Sequence, residues 1–122
     1  MQVEEVDFVS VLTQDIPRAK QFYGETLGLP IETEGENDME FTLGQVTLDV
    51  FNPASIGQEF APSPAGIAIR VPDVAAARAE LEAKGVRFDG DIIDTGVCHM
   101  TFFKDPDGNA LLLHRRYAPR ES

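Results

Sequence analysis

One pattern is written twice along these 122 residues, and that duplication constrains the fold more than any other feature. In the first copy a β-branched apolar run, Val6 to Leu12, leads to Asp15, a helix-capping residue, and then to Pro17, where a missing amide proton costs a helix little. Ile16, Ala19, Phe22, Tyr23 and Leu27 follow at three-to-four spacing, so one helix face is apolar, and Gly28 stops it. Strands are expected near Ile31–Thr33, Met39–Leu43 and Val46–Phe51, with Gly44-Gln45 as the turn between the last two. After a loop rich in Pro, Ser, Ala and Gly the pattern restarts. Ile67 to Val71 reads as a strand, Asp73 as a cap, Val74, Ala77 and Leu81 as an apolar stripe, and Gly85 as the stop. Arg87–Phe88, Val97–Phe103 and Ala110–Arg115 complete the copy, the last two joined by Asp105-Pro106-Asp107-Gly108-Asn109.

Each copy is therefore β-α-β-β-β, and one copy alone has too few layers to cover its sheet. With 43% hydrophobic residues the chain can bury one core or two small cores packed together. The expectation is a single domain over 1–122, with module 1 at about 1–52, a loop at about 53–66 and module 2 at about 67–118. No apolar run approaches the roughly 18–20 residues of a membrane span, and the chain starts with the acidic stretch MQVEEVDF rather than a signal segment. A soluble, cytoplasmic protein with no membrane partner is expected. Cys98 is the only cysteine, which rules out an internal disulfide or a cysteine-based zinc knuckle and fits a reducing compartment.

The formal charge of −11 repels nucleic acid, so none is expected as a partner. Residues 1–60 hold 12 acidic against 2 basic side chains, a net of −10, while residues 61–122 hold 9 against 8, a net of −1. Two readings of that asymmetry stand: a solvating surface, or attraction of a cationic small molecule.

The paired modules, with Phe22-Tyr23 ahead of Leu27-Gly28-Leu29 and with Asp105-Pro106-Asp107-Gly108-Asn109 near the end, resemble the vicinal-oxygen-chelate (VOC) superfamily of glyoxalases, bleomycin-resistance proteins and extradiol dioxygenases. The resemblance spans nearly the whole chain. It implies an α+β fold in which two βαβββ modules curve into a cup-shaped mixed sheet, with helices on the outer face and ligand inside the cup. Catalytic members hold a divalent metal there through four side chains. Matched onto this sequence, those positions fall on Phe8, Asp49, Ile67 and Leu112. Three of the four are apolar and a divalent ion needs several O or N donors, so the resemblance implies neither metal nor cofactor. Glyoxalase and extradiol chemistry in their metal-dependent forms are disfavoured with it.

Strand side chains alternate faces, so each of those positions marks neighbours that should share the cup. Phe8 brings Val6 and Ser10; Asp49 brings Thr47 and Phe51; Ile67 brings Ile69; Leu112 brings His114, with Met100, Phe102 and Cys98 across the hairpin. The expected face is mostly apolar and aromatic. It is either an open pocket for a small molecule or a packed core that fills the cup. Asp49 reads as a general base, as a counter-ion for a cationic ligand, or as a carboxylate held by a backbone amide or Ser10. His114 reads as an acid, base or donor to ligand, or as a half-exposed strand-end histidine beside Arg115-Arg116. His99 should point to the face opposite Met100, and Cys98 reads as packing.

Three functions follow from these readings. The leading one is a metal-independent binding protein of the bleomycin-resistance type, a homodimer holding an apolar, aromatic or cationic small molecule. The alternative is a VOC-type lyase, isomerase or dioxygenase-like enzyme using Asp49 and His114 as an acid/base pair or in a displaced metal site. The third is an interaction protein with a filled cup.

Overall fold

The computed structural model describes residues 1–120 and resolves into two compact units, Met1–Ser63 and the segment from Pro64 onward. Each carries one four-stranded mixed sheet and one main helix, an α+β arrangement. Among the described residues no helix is long and apolar enough to cross a membrane.

The first unit runs β1 (Phe8–Leu12), α1 (Ile16–Lys20), β2 (Ile31–Glu34), β3 (Asp38–Leu43) and β4 (Val46–Phe51), with sheet order β1-β4-β3-β2. β1 lies parallel to β4, and the other pairs are antiparallel. The capping expectation holds: the Asp15 carboxylate accepts from the Arg18 amide at 3.0 Å. The helix then widens into a π-helical stretch, Gln21–Thr26, in which the Leu27 amide donates to the Phe22 carbonyl five residues back at 2.8 Å. Both aromatic residues of the Phe22-Tyr23 pair are buried there, edge to face at 5.2 Å, and the Tyr23 ring meets Phe41 at 5.8 Å. Val11, Met39, Phe41, Leu48 and Val50 alternate along their strands to give the sheet one continuous apolar face. β1 starts at Phe8, not Val6, because β4 begins at Val46, one residue before Phe8's partner Thr47. Val6 is left without a strand partner and exposed.

The second unit repeats the order with β5 (Ile67–Arg70), α2 (Val74–Ala83), β6 (Phe88–Asp94), β7 (Cys98–Lys104) and β8 (Ala110–Arg116), arranged β5-β8-β7-β6. The Asp73 carboxylate caps α2 through the Ala76 amide at 3.0 Å. One side of the sheet faces this helix, because Arg78 of α2 donates to the Thr101 hydroxyl at 2.8 Å and lies over the Phe88 ring. Phe103, Leu111 and Leu113 are buried. β6 is longer than the sequence predicts, extending to Asp94 through a break in register between Asp89 and Ile93. Asp89-Gly90-Asp91 destroys the alternation there and reads as loop, yet pairing to β7 resumes beyond it. The inter-module loop likewise contains a 3-10 turn, Pro53–Ile56, whose Ala54 amide donates to the Asn52 side chain at 3.0 Å.

The turn between β7 and β8 is held by its own side chains. The Asp105 carboxylate accepts from the backbone amides of Asp107 (2.9 Å) and Asn109 (2.8 Å) and from the Asn109 side-chain amide (2.8 Å), and Asp105 and Asn109 are both buried. Replacing Asp105 with Ala strands three donors and is expected to cost about 2–4 kcal/mol. Urea unfolding should show the midpoint falling with an unchanged slope.

Candidate ligand site

The strand register assigns each predicted residue to a face. In the first module Phe8, Ser10 and Leu12 stand beside Thr47, Asp49 and Phe51. Phe51, Asp49 and Thr47 in turn face Asp38, Glu40 and Thr42 of β3. This face lies opposite the apolar one, so Phe8, Ser10, Thr47, Asp49 and Phe51 share one surface as expected. Its character differs from the expectation, because β3, expected as a strand but not assigned to this surface, contributes the carboxylates of Asp38 and Glu40. The Thr33 hydroxyl donates to Glu40 at 2.8 Å, and the Thr42 and Thr47 hydroxyls both donate to Glu32, at 3.0 Å in each closest contact. The first-module surface is thus acidic and hydroxyl-bearing, with aromatic residues at one end.

At that end lies a cavity of about 360 Å³ whose walls include Phe8, Ser10, Asp38, Asp49, Phe51 and Ile56. Phe8 is 55% exposed and Ile56 62%, so large apolar side chains border water here and neither is spent in the core. Ile56 arrives on the 3-10 turn after β4, a position that strand alternation cannot reach. Asp49 accepts a long bond from the Ser10 hydroxyl at 3.4 Å. Partial burial, reinforced by the charges of Asp38 and Glu40, holds its carboxyl above the usual range, and the Ser10 bond only partly opposes this.

In the second module Met100 pairs with His114 and Phe102 with Leu112. Ala68 stands beside Leu112 and Arg70 beside His114. Met100, Phe102, Leu112, His114 and buried Cys98 therefore share the face opposite α2. Ile67 and Ile69 do not. They pair with Leu111 and Leu113, on the side that packs toward the helix, so the expectation that they join Leu112 and His114 is corrected. The residue that shares Leu112's face is Gly66, where an added Cβ would come within 2.8 Å of the Leu112 side chain. The spacing to the helix caps carried the signal: Phe8 precedes Asp15 by seven residues, and seven before Asp73 is position 66, not 67. Arg70, which strand alternation from Ile67 had excluded, is the polar residue gained. His99 pairs with Arg115 on the helix side, opposite Met100, as expected. The Cys98 sulfur sits 3.1 Å from the Thr95 hydroxyl.

The donor set does not fit a four-ligand metal centre of the kind the resemblance implies. The first module offers Asp49 beside Phe8, and the second offers Gly66 and Leu112, which have no donor side chains. Among the described residues no group of three or more His, Cys, Asp or Glu is placed to hold an ion. Asp49 and His114 belong to separate modules.

Residues 5–113 match the profile of the Glyoxalase/Bleomycin resistance protein/Dioxygenase superfamily. No protein of curated function matches the chain. Among solved structures, TnmS3, an antibiotic binding protein from Streptomyces sp. CB03234, is 27% identical with a TM-score of 0.78, over 95% of this chain and 98% of that one. A putative glyoxalase family protein from Bacillus anthracis is 22% identical with a TM-score of 0.80, over 95% and 98%. Lactoylglutathione lyase from Agrobacterium tumefaciens is 17% identical with a TM-score of 0.79, over 93% and 94%. At those two lower identities the likeness is one of fold alone.

Because Asp49 has a raised proton affinity in the folded chain, the native state holds its proton to higher pH than the unfolded state does. Its contribution to stability is therefore greatest at low pH and declines as pH rises from the unfolded value of 3.8 through the raised folded value. Asp49→Asn is expected to raise Tm at neutral pH by a modest amount, under about 1 kcal/mol given solvent screening. The gain should vanish toward acid, and thermal melts of both proteins across pH check it.

Proposed function

This chain belongs to the glyoxalase, bleomycin-resistance protein and dioxygenase superfamily, and we propose that it serves there as a metal-independent small-molecule binding protein. Its ligand on this reading is a flat, aromatic, cationic compound. The observation that carries the reading is the first-module cavity, where exposed Phe8 and Ile56 and half-buried Phe51 border the carboxylates of Asp38 and Asp49. Aromatic and aliphatic walls supply the favourable burial of a ring system, and two converging carboxylates select positive charge. A cationic ring against Phe8 gains further from the ring quadrupole. The likeness to an antibiotic binding protein supports a small-molecule ligand. The charge of the first half, a net of −10 over residues 1–60, acts in the same direction by drawing cations toward the site.

Acid/base catalysis is the rival reading, favoured by the raised proton affinity of Asp49, which suits a general base. Binding and catalysis make different demands on Asp49. A counter-ion must stay charged while ligand is bound, whereas a base must take a proton from it.

Calorimetric titration with a cationic aromatic dye and a neutral isostere of the same ring system tests the binding reading. The cation is expected to bind more tightly, and increasingly so at low salt. Phe8→Ala should weaken both ligands about 10-fold, the loss of roughly 1.4 kcal/mol of ring contact. Asp49→Asn should weaken the cation alone. Equal affinity for cation and isostere, or an Asp49→Asn protein that binds the cation as well as the parent, would contradict the proposal.

A further inference from the structure

Carboxylates on the open face of the first module differ in what meets them. Glu32 and Glu40, which do not line the cavity, accept from threonine hydroxyls: Thr42 and Thr47 donate to Glu32 at 3.0 Å in each closest contact, and Thr33 donates to Glu40 at 2.8 Å. Asp38 and Asp49, at the cavity wall, are poor in donors. Their carboxyls stand within hydrogen-bonding reach of one another, and apart from that contact the Ser10 hydroxyl, 3.4 Å from Asp49, is the one donor either receives among the described residues.

The donors close by are spent or turned away. Gly35 lies so near Asp38 that a Cβ there would come within 2.5 Å of the carboxylate Oδ1, yet its amide donates to the Asp38 backbone carbonyl at 2.8 Å. The Ser55 hydroxyl, on the same cavity wall, donates to the Asn52 carbonyl at 2.7 Å. The Asn37 side chain lines the wall and makes no bond to either carboxylate. The raised proton affinity of Asp49, caused first by partial burial and then by the charges of Asp38 and Glu40, is what a carboxyl pair short of donors shows.

While the cavity is open, water supplies the missing donors. A ring seated against Phe8, Phe51 and Ile56 covers Asp38 and Asp49 and displaces that water. The carboxylates then need donors that the protein does not provide. A quaternary ammonium neutralises them but brings no N–H, so it strips water from acceptors that it cannot satisfy. A planar cation with forked N–H groups brings charge and directed donors together. On the reading of this cavity as a cation site, on which the inference rests, we propose that its ligand carries an amidinium or guanidinium group whose N–H groups bridge Asp38 and Asp49 while the attached ring lies against Phe8 and Phe51.

The test compares benzamidine, benzyltrimethylammonium and neutral benzamide on the full-length protein at neutral pH, by calorimetry and by amide chemical shifts. Benzamidine is expected to bind saturably, with shifts at Ser10, Asp38 and Asp49, and about 10-fold more tightly than benzyltrimethylammonium, the difference that a charge-assisted hydrogen bond supplies at an open site. Asp38→Asn and Asp49→Asn should each weaken both cations and bring them to nearly equal affinity, because the change removes charge from both but an acceptor from benzamidine alone. Glu40→Gln takes a charge from the same face without taking an acceptor from the cavity. It should weaken both cations alike and keep the preference. Two cations of equal affinity, both tighter than benzamide, would overturn this inference and leave the cation-binding reading standing; neither cation exceeding benzamide would remove both. A preference for benzamidine that survives Asp38→Asn and Asp49→Asn, or saturable shifts that leave Asp38 and Asp49 unmoved, would overturn the inference as well.

Discussion

In each module the last strand is clamped on both sides, parallel to the first strand and antiparallel to the third, and every functional position depends on that double register. Once Ser10 stands beside Asp49 and Asp49 beside Glu40, strand pleating fixes the rest. Val11, Met39, Phe41, Leu48 and Val50 must go to one side, and a row of hydroxyls and carboxylates must go to the other. A slip of one residue in β4 would bury Asp49 in the core and expose Leu48 and Val50. The apolar side anchored by Phe22 and Tyr23 is thus what keeps the acidic side facing outward.

That division gives the first module its electrostatic character. Carboxylates on neighbouring strands repel, and the structure softens this in two ways. Glu32 and Glu40 accept from threonine hydroxyls, while Asp49, with Asp38 and Glu40 as neighbours and only a long bond from Ser10, responds by holding its proton more tightly. A cationic ligand would relieve the same repulsion. On its corresponding face the second module places Met100, Phe102 and Leu112, with His114 and Arg70 at one end and only Asp89 of β6 as a carboxylate opposite Phe102. Two modules of one topology have thus diverged in chemistry. The first is acidic on its open face, whereas the second is largely apolar on the corresponding one.

The duplicated architecture was legible in the sequence because helix caps, glycine stops and alternating strands are local signals. Asp15, Asp73 and the Asp105–Asn109 turn perform in the structure the roles their residue types predict. Faces were legible only where the register was anchored correctly. Phe8, Ser10, Thr47, Asp49 and Phe51 fell together, as did Met100, Phe102, Leu112 and His114. Ile67 and Ile69 were assigned to the wrong side by a one-residue displacement, since a period of two turns any slip into a change of face. Asp38 and Glu40 escaped because β3 has no position marked by the resemblance. Ile56 escaped because it reaches the cavity from a turn. Asp89-Gly90-Asp91 hid most of β6, because an edge strand with a bulge has no alternation to read.

The central claim is that the first module's open face, not its core, is the place where ligand binds, with Phe8 and Asp49 as its two poles. Amide chemical-shift mapping of the full-length protein, titrated with a cationic aromatic compound, tests this most directly. The account predicts saturable shifts concentrated at Phe8, Ser10, Asp38, Asp49 and Ile56. Saturable shifts that leave those residues unmoved and gather elsewhere would contradict it.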